Sequence, residues 1–174
     1  ESIQNLKAVG ILQEHPEDQI IDIGTPVGII AGIVPSTNPT SSVIYKALIA
    51  IKAGNTIVFS PHPNAVRCTL EAVRVVASAA ERAGCPAGAI SCIENPTMEA
   101  VKELMSHPDV RLILATGGGA MVRAAYSSGT PAIGVGAGNG PAYIHKSANI
   151  HQAIRRILDS KTFDNGTVCA SEQS

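Results

Sequence analysis

Val27-Gly28-Ile29-Ile30-Ala31-Gly32-Ile33-Val34 is an apolar, β-branched run that stops at Pro35-Ser36-Thr37-Asn38-Pro39-Thr40. With no polar alternation, it reads as a strand buried on both faces, the pattern of a parallel sheet. The chain then resumes as a helix with Ile44, Ala47, Leu48 and Ile51 on one face and Gly54 at its end. This strand, loop and helix unit repeats. Asn55 to Ser60 is a second strand; Pro61-His62-Pro63 turns it, and Asn64 is expected to cap a helix. That helix turns Val66, Leu70, Val73, Ala77 and Ala80 inward and Arg67, Glu71, Arg74 and Glu81 outward, and Gly84 stops it.

Earlier, a strand-like lead from Ala8 to Leu12 meets a polar bend at His15-Pro16-Glu17-Asp18. Later, a third strand (Ala89 to Ile93) leads through Asn95-Pro96, with Pro96 opening a helix that carries Val101, Leu104 and Met105. A fourth (Arg111 to Ala115) enters Thr116-Gly117-Gly118-Gly119 and a helix to Tyr126. A fifth (Ala132 to Val135) enters Gly136-Ala137-Gly138-Asn139-Gly140 and an extended stretch, Ala142 to His145. A last helix from Asn149 turns Ile150, Ile154, Ile157 and Leu158 inward. Strands alternating with helices predict an α/β fold: a doubly wound parallel sheet of about five strands, helices on both faces, right-handed crossovers.

The 174 residues are 45% hydrophobic and 16% charged, which suits a single domain with one sizeable core. A net charge of -1 with mixed signs provides no basic stripe for nucleic acid and no polybasic membrane segment. The start, Glu1-Ser2-Ile3-Gln4-Asn5, lacks a secretion pattern, and no apolar run reaches the ~20 residues that span a bilayer, so a cytoplasmic protein is expected. Cys68, Cys85, Cys92 and Cys169 are widely spaced with no His pair nearby, which argues against a metal site or a disulfide framework. Aromatics are 3% and Trp is absent, leaving small molecules as the expected ligands.

In such a sheet ligands bind beyond the carboxyl ends of the strands. Four loops belong there: Pro35 to Thr40, Ser60 to Pro63, Thr116 to Gly119 and Val135 to Gly140. Thr116-Gly-Gly-Gly opens a helix whose free N–H groups suit a pyrophosphate. No GxGxxG follows the first strand, so a nucleotide would bind in another way. His62, His107 and His145 read as turn residues, and His15 and His151 as surface. Cys68, Cys85 and Cys92 read as structural. Cys169, in Lys161-Thr162-Phe163-Asp164-Asn165-Gly166-Thr167-Val168-Cys169-Ala170-Ser171-Glu172, is the best nucleophile: the Asn165-Gly166 turn frees backbone N–H groups near the sulfur. No carboxylate pair or GxSxG elbow competes with it.

Pro35-Ser-Thr-Asn-Pro-Thr40, Phe59-Ser-Pro-His-Pro63, Ala115-Thr-Gly-Gly-Gly119, Gly134-Val-Gly-Ala-Gly-Asn139 and the stretch from Lys161 to Ser174 jointly resemble the coenzyme A-acylating aldehyde dehydrogenases. These include the aldehyde dehydrogenase half of bifunctional aldehyde-alcohol dehydrogenases and enzymes of bacterial microcompartments. The resemblance covers nearly the whole chain. It implies that residues 1–174 are a Rossmann-like NAD-binding domain ending just after the catalytic cysteine motif, with the rest of the catalytic domain absent. It also implies a homo-oligomeric parent, in the cytoplasm or in a microcompartment.

By the same resemblance Pro35, Ser36 and Thr37 line the nicotinamide side, Ser60, Pro61 and His62 the adenosine ribose, and Thr116, Gly117, Gly118, Gly119 and Met121 the pyrophosphate. Val135 and Gly136 complete the cofactor contacts. Ser60-Pro61 replaces the Lys-Pro of hydrolytic relatives, which leaves NADP as the alternative to NAD. Thr37 or Asn38 takes the oxyanion role. Where hydrolytic relatives carry a water-activating Glu, Val135 stands, so a thioester on Cys169 is expected to persist until coenzyme A takes the acyl group. The expected reaction is Cys169 addition to a short-chain aldehyde, hydride transfer to NAD, and acyl transfer to coenzyme A. A hydrolytic aldehyde dehydrogenase and a non-catalytic nucleotide-binding module are the alternatives.

Overall fold

The computed structural model describes residues 3–173. It divides into two compact units, one running to Val135 and one from Gly136. Among the described residues, the chain beyond Val135 contributes no side chain to the buried apolar core.

The first unit opens with a hairpin, β1 (Gly10–His15) antiparallel to β2 (Ile20–Gly24). The sequence predicted one lead strand and missed the second. The turn's left-handed residue is Gln19, at φ 56°, with no Gly or Asn to announce it. Across the hairpin the His15 and Asp22 side chains meet at 3.2 Å.

The main sheet comprises β3 (Ile29–Ile33), β4 (Thr56–Ser60), β5 (Ile90–Cys92), β6 (Val110–Thr116) and β7 (Ala132–Val135), all parallel, in the order β5-β4-β3-β6-β7. Helices α1 (Pro39–Lys52) and α2 (Val66–Arg82) serve one face, α3 (Met98–Ser106) and α4 (Gly119–Tyr126) the other. Successive strand residues point to opposite faces, so Ile30, Ile57 and Phe59 pack in one cluster with Val43, Ala47 and Val73. Ala31, Ile33, Ile113 and Ala115 pack in the other with Val101, Met105 and Ala125. Gly32 pairs with Phe59, and a Cβ there would sit 2.8 Å from the Phe59 ring, so glycine on the central strand leaves room for that ring.

The inward face of α1 is corrected. Ile44 and Leu48 are about half exposed, and Val43, Lys46, Ala47 and Ala50 face the sheet. Ala47 and Ala50 admit the helix close to the strands, which rotates its bulkier apolar side outward. On α2 the predicted polarity holds, with Val73 buried and Arg67, Glu71, Arg74 and Glu81 exposed. Asn64 does not cap it: Pro63–Ala65 form a 3-10 turn, and the Asn64 N–H donates to His62 Nδ1 at 3.1 Å. Pro96 precedes α3 instead of opening it, and Thr97 Oγ1 caps by accepting the Ala100 N–H at 3.1 Å.

The second unit holds β8 (Gly140–Pro141), α5 (Ile150–Thr162) and β9 (Glu172–Gln173), with β8 and β9 parallel. The extended stretch expected at Ala142 to His145 is corrected to β8, just before it. Asn149 Oδ1 caps α5 by accepting the Gln152 N–H at 3.0 Å. Ile150, Ile154 and Leu158, read as inward, are exposed, and Ile157 is half-buried.

Candidate functional site

The chain leaves the central strand β3 toward β4, then returns through α3 to β6 on its other side. The order reverses there, the position at which doubly wound sheets bind ligands. Three tethers fix the loops at this edge. The Val34 N–H donates to Ser60 O at 3.0 Å, Ile93 N–H to Phe59 O at 2.8 Å and Gly117 N–H to Val135 O at 3.1 Å. A fourth comes from Lys46, 4% exposed, whose Nζ donates to Ile33 O at 2.6 Å and to Leu114 O at 2.8 Å. Burial lowers the Lys46 pKa to about 8.

In the loop after β3, Pro35 is buried while Ser36, Thr37 and Asn38 are exposed. The Thr37 hydroxyl donates to Asn38 Oδ1 at 3.1 Å. Asn38 is the N-cap residue of α1, yet its side chain makes no capping bond. After β4, Ser60 and Pro61 are buried and His62 is exposed, its Nδ1 engaged by Asn64 as expected of a turn residue. Ser60 Oγ is the only buried side-chain polar atom without a partner among the described residues. Buried hydroxyls are rarely left so.

Thr116 and Gly117 are half-buried and Gly118 and Gly119 exposed, with no side-chain cap on α4. Met121 is partly buried against the apolar cluster beneath α4. Val135 pairs with Thr116 in the sheet and is 54% exposed. Gly136 begins the second unit. A cavity of about 930 Å³ along α2, from Pro63 to Arg74, contains none of these candidate residues.

Of the four cysteines, Cys92 is half-buried, and burial followed by the Glu94 charge pushes its pKa up to about 11, leaving it a protonated thiol near neutrality. Cys85 is half-buried. Cys68, expected to be structural, is exposed, with its Sγ donating to Ala65 O at 3.2 Å. It lies on the polar side of α2, one residue off the stripe that packs.

Cys169 is exposed, in the second unit. α5 ends in a turn where Asp164, Asn165 and Gly166 all take positive φ (49°, 54° and 70°), and the Thr167 N–H donates to Asp164 O at 3.0 Å. The Ser171 N–H then donates to Val168 O at 3.1 Å, making Cys169 and Ala170 the middle of a tight turn. The Asn-Gly turn was legible in the sequence. Lys46 was not, although a lysine three residues from Val43 and four from Ala50 stands on the stripe that packs.

Among the described residues no group of His, Cys, Asp and Glu can hold a metal ion, and no helix is long and apolar enough to cross a membrane.

Residues 1–174 match the aldehyde dehydrogenase family. The chain is 55% identical over 168 residues to the bifunctional aldehyde-alcohol dehydrogenase of Escherichia coli K12, covering 97% of this chain and 19% of that protein. An acetylating aldehyde dehydrogenase of Geobacillus thermoglucosidasius superposes with a TM-score of 0.93 at 62% identity, over 98% of this chain and 38% of the other. A propionaldehyde dehydrogenase of Rhodopseudomonas palustris, solved with coenzyme A and an acylated cysteine, gives 0.80 at 39% identity, over 85% and 34%. The chain thus spans about a fifth of the bifunctional relative and about a third of the solved ones. Its five-stranded sheet and its similarity along nearly the whole sequence place it in one family: the chain belongs to the aldehyde dehydrogenases.

Proposed function

We propose that the full-length protein oxidises a short-chain aldehyde to its coenzyme A thioester, with NAD as cofactor, NADP as the alternative, and Cys169 as the nucleophile. The observation that carries the coenzyme A step is Val135. An exposed aliphatic side chain sits at the end of β7, where a hydrolytic relative is expected to hold a carboxylate.

The edge of the sheet fits a nucleotide. The Ser60 hydroxyl is buried without a partner beside the loop after β3, and α4 presents uncapped N–H groups behind two exposed glycines. The proposal gives Ser60, Pro61 and His62 to the ribose, Thr116 to Gly119 to the phosphates, Pro35 to Thr37 to the nicotinamide side, and Val135 and Gly136 to the remaining contacts. When bound, the nicotinamide supplies the hydride acceptor.

The chain's own part is as follows. Cys169, exposed in its turn, adds as thiolate to the aldehyde carbon. An oxyanion needs donors. The Thr37 proton is already committed to Asn38 Oδ1, whereas the Asn38 side chain is not used as a helix cap. Its NH₂ is therefore the donor proposed for the oxyanion role; the Cys169 N–H is the other donor that the family resemblance implies. Without a base at position 135, water attacks the acyl-cysteine slowly, since a positioned base contributes ~100-fold or more. The thiol of coenzyme A then takes the acyl group and releases Cys169. The Rhodopseudomonas relative, solved with coenzyme A and an acylated cysteine, supports this order.

NADH absorbance in the full-length protein with NAD and acetaldehyde or propionaldehyde tests the reading. Formation that needs both coenzyme A and Cys169 is expected, and Cys169→Ala abolishes it. Sustained turnover without coenzyme A would make the protein a hydrolytic dehydrogenase. Nucleotide binding indifferent to Cys169→Ala, with no turnover, would make it a binding module.

A further inference from the structure

Three glycines occupy the loop between β7 and β8: Gly136, Gly138 and Gly140. None has φ in the left-handed range, so backbone freedom does not explain them. A Cβ on Gly136 or Gly140 would meet open space. On Gly138 it would overlap the carbonyl oxygen of Cys169 and lie 3.0 Å from that carbonyl carbon. Gly138 therefore lacks a side chain because the peptide following the nucleophile occupies that volume.

The contact is part of a longer alignment within the second unit. Gly140 pairs with Glu172 and Pro141 with Gln173, so the loop runs parallel to the segment that carries the cysteine. The Ser171 N–H to Val168 O bond closes the turn centred on Cys169 and Ala170, and Gly138 abuts its middle peptide. We propose that Gly138 is a positioning residue for the nucleophile: it seats the Cys169–Ala170 peptide and thereby sets the direction of the Cys169 side chain and N–H. This rests on Cys169 being the nucleophile. It assigns the loop a duty toward the cysteine that is separate from any cofactor contact.

Gly138→Ala in the full-length protein is the test, with Cys169→Ala alongside. The expected result is a kcat lower by ~100-fold, the cost of misplacing a reacting group by about 1 Å. Aldehyde KM, NADH affinity by fluorescence and Tm stay near wild type. A kcat near wild type for Gly138→Ala would overturn the proposal. So would joint loss of kcat, NADH binding and Tm, which would make Gly138 an ordinary packing residue. Turnover by Cys169→Ala would remove the nucleophile itself, a failure of the underlying reading that the same plate distinguishes. Should Gly138→Ala not accumulate folded, a crystal structure of the unsubstituted protein decides. Gly138 Cα within about 4.5 Å of the Cys169 carbonyl oxygen is expected, and no contact at that range would overturn the proposal.

Discussion

The proposed reaction rests on Asn38 and Val135, and each makes a distinct prediction. Asn38→Ala is expected to lower kcat by ~10²–10³, the cost of losing one oxyanion donor, whereas Thr37→Ala costs far less. Steady-state kinetics on the pair checks this, and the reverse ranking would return the role to Thr37. Val135→Glu restores a carboxylate at the end of β7. NADH formation without coenzyme A is expected to rise by about tenfold or more if that carboxylate activates water. No rise would mean that the thioester is protected by something other than the missing base. The Asn165-Gly166 turn that precedes Cys169 was legible in the sequence. The choice between Thr37 and Asn38 was not, since it depends on which way one hydroxyl proton points.

Lys46 shows what an element conceals from its sequence. Periodicity placed Ile44 and Leu48 of α1 against the sheet, but small alanines win the close approach and a lysine goes in with them. Similarly, the hairpin's second strand was hidden by a turn closed on Gln19, and the α2 cap by a 3-10 turn. The five parallel strands were legible because each is a short, largely apolar run, four of them ended by Gly or Pro. Lys46 has a measurable consequence. Its folded pKa is near 8 against an ordinary 10.5, so between those values the unfolded state holds the proton and the folded state does not. Stability from this group therefore rises as pH climbs from about 8 toward 10, by up to about 3 kcal/mol. In Lys46→Met the rise is absent, so the Tm difference between wild type and variant should move in the wild type's favour from pH 7 to pH 9.5. A flat difference would contradict the burial of a charged amine.

At the scale of the whole molecule, both units carry large apolar side chains on their surfaces. The hairpin exposes Ile11, Leu12, Ile20, Ile21 and Ile23, α1 exposes Ile44, Tyr45 and Leu48, and the second unit exposes Ile150, Ile154, Leu158 and Phe163. A two-stranded hairpin is marginal in water by itself, and exposed apolar patches mark contact sites. The 174 residues expressed alone are expected to self-associate in light scattering, and a clean monomer would contradict that. The most direct test of the account uses the full-length protein with NAD and a short aldehyde but no coenzyme A, followed by peptide mass spectrometry. The account predicts an acyl group on Cys169 that persists and is discharged when coenzyme A is added. An unmodified Cys169, or an acyl group on another cysteine, would contradict it.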